Sequence, residues 1–170
     1  IELNPKEISG RELLGQLYLM DRQYESAMNQ FLSLVRIDKN NDNYLSILGD
    51  LNKIQRQWNK SIEFYLKAFE VNPQNFKALE NAMQVSLGAE LFDQAEIICR
   101  KLVQYSPRNT SYWMTYKQIT AYNKNYESTL IAINELEKIN GETTILALEK
   151  SAVMQELNDM EAAIKILLEI

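Results

Sequence analysis

The chain has 170 residues, 46% of them hydrophobic and 24% charged, with 18 basic side chains against 23 acidic ones and a formal charge of -5. Scattered basic residues in an acidic chain exclude generic attraction to phosphate backbones, and no apolar run nears the roughly 20 residues of a membrane-spanning helix. Five Gly and three Pro are too few for an architecture of strands and turns, so long helices around a continuous core are expected.

Taken in chain order, the segments repeat with a period of 34 residues, in registers 8–41, 42–75, 76–109, 110–143 and 144 to the end. The first repeat opens with Leu14, Gly15 and Leu17, turns at Asp21-Arg22-Gln23, and continues with Tyr24, Ala27, Phe31 and Leu34. The second carries Leu48, Gly49 and Leu51, then Trp58, Ser61, Tyr65 and Ala68, and closes at Pro73. The third has Val85, Phe92, Ala95, Cys99 and Leu102, closing at Pro107. The fourth has Ile119, a polar turn at Asn123-Lys124-Asn125, then Tyr126, Thr129, Ile133 and Leu136, with Gly141 where Pro stood; the fifth has Val153, Met160, Ala163, Leu167 and Ile170. Such spacing marks one face of a helix in each half, so each repeat is a helical hairpin, and the aromatics at Tyr24, Trp58, Phe92 and Tyr126 are expected in the core. Hairpins of this size cannot bury their own apolar faces and must stack on their neighbours.

The pattern resembles the tetratricopeptide repeat (TPR), whose Leu-Gly-x-x-Tyr, Ala-x-x-x-Phe and terminal Pro recur at this period. Leu14, Gly15, Tyr18, Ala27 and Phe31 carry the match in the first repeat, while Ala82-Met83 replaces Leu-Gly in the third and Lys117, Thr129 and Gly141 depart from it in the fourth. The resemblance implies an all-α, right-handed α-solenoid of about five helix-turn-helix hairpins, a single array whose first helices line a concave groove.

Carried over place by place, that groove would be lined by Gln16, then Asn43, Ser46, Asp50 and Lys53, then Lys77, Glu80, Asn81 and Gln84, then Ser111, Met114, Thr115, Gln118 and Tyr122. Its ninth places read Gln16, Asp50, Gln84 and Gln118, side chains able to hydrogen-bond an extended peptide backbone, with Met114 and Tyr122 as anchors. A solvated polar helix face has the same composition whatever it does. The Lys and Asn set with which some members grip acidic chaperone tails is missing: Lys77 and Asn81 match two places, but Glu12, Gln16 and Ile47 stand where others are needed. Together with Glu12, Asp50 and Glu80, this favours a neutral or basic peptide or protein ligand.

Other chemistry is thin. With no histidine, Ser-His-Asp and Cys-His arrangements are excluded, and one cysteine makes neither an intramolecular disulfide nor a thiolate zinc site. No catalysis, metal or cofactor is therefore expected, and Cys99 reads as a small buried hydrophobe. The run from Asp38 to Asn43 imitates the start of a calcium loop but has Gly49 where a bidentate Glu belongs, so it reads as a solvated turn. Asn59-Lys60-Ser61 and Asn109-Thr110-Ser111 match the glycosylation pattern by chance.

A start at Ile1 and a stop inside an apolar helix suggest a piece of a longer protein, with Leu167 and Ile170 left to meet a following repeat or to pair end to end with another copy. The reading is a non-catalytic protein-interaction scaffold. Alternatives are an accessory domain of a larger enzyme or envelope complex, and, against the acidic balance, an RNA-binding helical-repeat module. An Asn-, Ile- and Lys-rich composition suggests a bacterial source and leaves cytoplasm and periplasm equally open.

Overall fold

The computed structural model describes residues 5–169. Ten helices follow in order among them: α1 (Pro5–Met20), α2 (Tyr24–Ile37), α3 (Asp42–Ile54), α4 (Trp58–Val71), α5 (Phe76–Gly88), α6 (Phe92–Tyr105), α7 (Thr110–Tyr122), α8 (Tyr126–Asn140), α9 (Thr144–Glu156) and α10 (Met160–Leu168). The chain divides into two compact units, Ile1–Glu90 and Leu91–Ile170. In the first, α1 packs on α2, α2 on α3, α3 on α4 and α4 on α5; in the second the same succession runs from α6 to α10 through α7, α8 and α9.

The helix ends follow local chemistry. Asn41, Asn75 and Asn109, one period apart, cap α3, α5 and α7 by accepting first-turn backbone N–H groups, and Thr143 does so for α9. Each cap satisfies a donor that the helix itself leaves without a partner. Asn109 is thus spoken for as a cap, accepting from the N–H groups of Ser111 and Tyr112. Asp38 likewise belongs to its turn, where its carboxylate accepts from the Asn40 N–H at 3.2 Å and the Asn41 amide at 3.3 Å.

Inside each hairpin the chain reverses through one left-handed residue: Arg22, Arg56, Glu90, Lys124 and Asn158 have φ of 58°, 56°, 58°, 57° and 61°. Around Arg22, the Gln23 N–H reaches the Tyr18 carbonyl at 2.8 Å and the Arg22 N–H that of Leu19 at 3.1 Å. The same pair of bonds recurs at Arg56, Lys124 and Asn158. This Schellman arrangement is usually built on glycine, because a side chain strains the left-handed backbone.

Packing follows the expected columns. Ala27, Ser61, Ala95, Thr129 and Ala163 are all buried, as are Phe31, Tyr65, Cys99 and Ile133, and Leu34, Ala68, Leu102 and Leu136. The Leu-Gly pairs have a steric cause: a Cβ on Gly15 would lie 2.9 Å from the Phe31 ring, and one on Gly49 would lie 2.7 Å from the Tyr65 ring. Leu51, Val85, Ile119 and Val153 are buried, but Leu17 of the same column is 51% exposed, since no described helix precedes α1 to cover it.

The aromatic column needs correction. Tyr24, Phe92 and Tyr126 are only half-buried and Trp58 is 37% exposed, not core. Each is the first residue of a second helix, directly after the left-handed turn. The rings therefore sit at the end of the hairpin, where their cover depends on the neighbouring repeat.

Candidate functional site

In the first unit, Gln16 of α1, Asn43 of α3, and Lys77 and Gln84 of α5 are exposed, while Asp50, Lys53, Glu80 and Asn81 are half-buried. The carboxylates on these helices are engaged. Asp50 Oδ1 accepts the Tyr65 hydroxyl at 2.6 Å and lies 3.2 Å from Lys53 Nζ, which sits 5.9 Å from the Tyr65 ring centroid. Glu80 pairs with Lys77 at 3.6 Å, and Glu12 accepts the Tyr44 hydroxyl. Burial first, and then the bond to Glu12, push the Tyr44 phenol up to about 12; burial and Asp50 also raise that of Tyr65.

Three of these helices leave an open depression of about 170 Å³, lined by Lys53 at the end of α3, Trp58 at the start of α4, and Gln84, Val85 and Gly88 of α5. Lys53 and Gln84 were expected on a binding face; Trp58 was not. The signal that points to it is Gly88, which shares a column with Ile54, Tyr122 and Glu156 and is alone among them in having no side chain.

In the second unit, Met114, Gln118 and Tyr122 of α7 are exposed, Tyr122 by 66% even though its ring stacks on Phe92 with centroids 4.2 Å apart. Ser111 is exposed as well, and the half-buried Thr115 donates its hydroxyl to the Ser111 carbonyl one turn back at 2.9 Å. Behind this face lies a buried polar cluster that sequence reasoning missed. Glu96 of α6, 8% exposed, accepts from Asn123 at 2.8 Å, from Asn125 at 2.7 Å and from Arg100 at 3.1 Å. Arg100 Nε in turn donates to the Tyr116 hydroxyl at 3.1 Å. These donors satisfy the buried carboxylate, and the cluster ties α6 to the α7–α8 turn.

Cys99 is fully buried with its Sγ 3.4 Å from the Tyr112 carbonyl, and burial pushes its thiol up to about 12. Such a thiol is almost entirely protonated at neutral pH and a poor nucleophile.

Known structures place the fold. Over 95% of this chain and 92% of that one, MamA 41-end from Desulfovibrio magneticus RS-1 superposes with a TM-score of 0.58 at 14% identity. YrrB, a TPR protein with an unusual peptide-binding site, gives 0.57 at 12% identity over 90% of this chain and 79% of that one. The fold is the tetratricopeptide repeat fold. A longer TPR relative, in the structure of Naa15/Naa10 bound to HypK-THB, gives 0.79 at 15% identity over 96% of this chain and 26% of that one. No protein-family model matches the chain. By sequence, the BBSome complex member BBS4 of Mus musculus is 32% identical over 78 residues, 46% of this chain, which spans 15% of that curated relative's length.

Proposed function

We propose that this TPR chain is a non-catalytic scaffold that binds a peptide or protein partner on the first-helix faces of its two units. The observation that supports it most directly is that Gln16, Gln84 and Gln118, at one place of three repeats, all stand at the surface, with Met114 and Tyr122 exposed beside the last. Amides of this kind satisfy an extended backbone without demanding a sequence, and Met and Tyr supply apolar contact at interfaces. The peptide-binding site of YrrB and the HypK complex of Naa15/Naa10 are the parallels on the same fold.

The test is affinity capture from the native host with wild-type protein and with Gln84→Ala, Gln118→Ala and Tyr122→Ala. Loss of the same partner from the variants at unchanged thermal stability is the expected outcome; identical capture by all four proteins would remove these faces from the interaction. A chain charge of -5 favours a neutral or basic ligand, and tight calorimetric binding of an acidic tail peptide would reverse that preference.

Self-association belongs to the same proposal. Met160, Ile164, Leu167 and Leu168 leave α10 with an exposed apolar face, Leu167 at 44% and Leu168 at 82%; Ile170, expected to join them, lies outside the described residues. End-to-end pairing predicts a concentration-dependent mass in light scattering, and a clean monomer at high concentration contradicts it. The small share of BBS4 and Naa15 that the chain spans favours a second reading, an accessory module within a larger protein or complex.

A further inference from the structure

We infer that the depression beside Trp58 receives one aromatic side chain from the partner of the proposed scaffold, so that this inference rests on that reading and narrows the partner it fits. The molecule contains its own example of the filled site. In the second unit, the first residue of α6, Phe92, is covered by the last residue of α7, Tyr122, with ring centroids 4.2 Å apart at 44°. In the next repeat the same two places hold Tyr126 and Glu156.

One period before the Phe92–Tyr122 pair, those places hold Trp58 and Gly88. A Cβ built on Gly88 meets nothing within 4 Å, and Trp58 is left 37% exposed above the buried Val85. The resulting depression, about 170 Å³, falls below the several hundred Å³ of a small-molecule pocket and suits a single side chain.

Two features select an aromatic occupant. The indole face offers the offset or tilted stacking that Tyr122 makes on Phe92. The Lys53 ammonium, which keeps donors beyond its pair with Asp50, and the Gln84 amide offer hydrogen bonds to a phenol or to the backbone on either side.

The two tryptophans give two indole N–H resonances, and that of buried Trp113, whose Nε1 donates to the Pro107 carbonyl at 2.7 Å, is an internal reference. Titration of the 15N-labelled protein with N-acetyl-phenylalanine amide is expected to move the Trp58 resonance, and N-acetyl-leucine amide to move it about fivefold less. Gly88→Ala, which adds only a methyl group in open space, should keep the response; Gly88→Tyr, which supplies the ring in cis, should abolish it while leaving the Trp113 resonance in place. No response at the solubility limit of the probe, an equal response to leucine amide, or a full response in Gly88→Tyr would each overturn the inference. The scaffold reading is tested separately by Gln118→Ala and Tyr122→Ala in the other unit, so either can fail alone: a partner lost from those variants but bound undiminished by Gly88→Tyr leaves the scaffold and removes the aromatic subsite.

Discussion

Each unit is held together by a different chemistry. In the first, the Tyr65 ring is pressed onto Gly49, with Ser61 beneath it donating to the Gly49 carbonyl at 2.8 Å. In the second, Lys117 stands at the equivalent of that glycine and reaches Glu149 of α9, while α6 is held to the α7–α8 turn by the buried Glu96 and its amide and guanidinium donors. The repeat period therefore prescribes where volume must be small or large inside a hairpin, and it does not specify the polar contacts that tie one hairpin to the next.

Substitutions can break that comparison. The largest effect is expected for Tyr65→Ala, which removes a fully buried ring and its bond to Asp50 and should cost about 4 kcal/mol in denaturant unfolding. In the second unit Glu96→Ala strands the amides of Asn123 and Asn125 and should cost about 3 kcal/mol, with Glu96→Gln intermediate because it keeps the acceptor oxygen. Gly49→Ala places a methyl group 2.7 Å from the Tyr65 ring and should cost about 2 kcal/mol. Gly88→Ala, in open space, should be neutral or slightly stabilising, which separates the two glycines by measurement.

Alkaline titration sharpens the comparison at the α1–α3 contact. Tyr44 has its folded pKa raised from 10.0 to about 12, so the stability it contributes is complete below pH 10 and is lost as pH climbs through 12. Tyr44→Phe should flatten part of the fall in melting temperature over that interval and lower stability at neutral pH by about 1 kcal/mol, because the bond to Glu12 is lost. A modest gain is expected at the hairpin turn: Arg56→Gly relieves a left-handed side-chain-bearing residue and should add about 0.5 kcal/mol, read as a rise in melting temperature.

Much of this architecture is legible from residues alone. The small column at Ala27, Ser61, Ala95, Thr129 and Ala163, the ring fillers at Phe31 and Tyr65, and the closing prolines follow from helical spacing, because burial of a helix face is periodic in sequence. The left-handed turn residues were not legible: Arg, Arg, Glu, Lys and Asn occupy a place that glycine normally marks, and only the recurrence of the bonds around them reveals it. Glu96 was missed for a related reason, since an acid on a helix reads as surface until its three donors are placed around it.

Composition and period determined that the chain is all-helical, that it is made of hairpins of about 34 residues, and which columns fill the core. Each follows from contacts within a hairpin or from the repetition of one pattern. Tertiary structure decided how each terminal ring is covered, by Tyr122 over Phe92 but by no side chain at Gly88 over Trp58, and which carboxylate is buried. Those outcomes depend on what a residue one repeat away brings into contact, and no local propensity encodes that pairing.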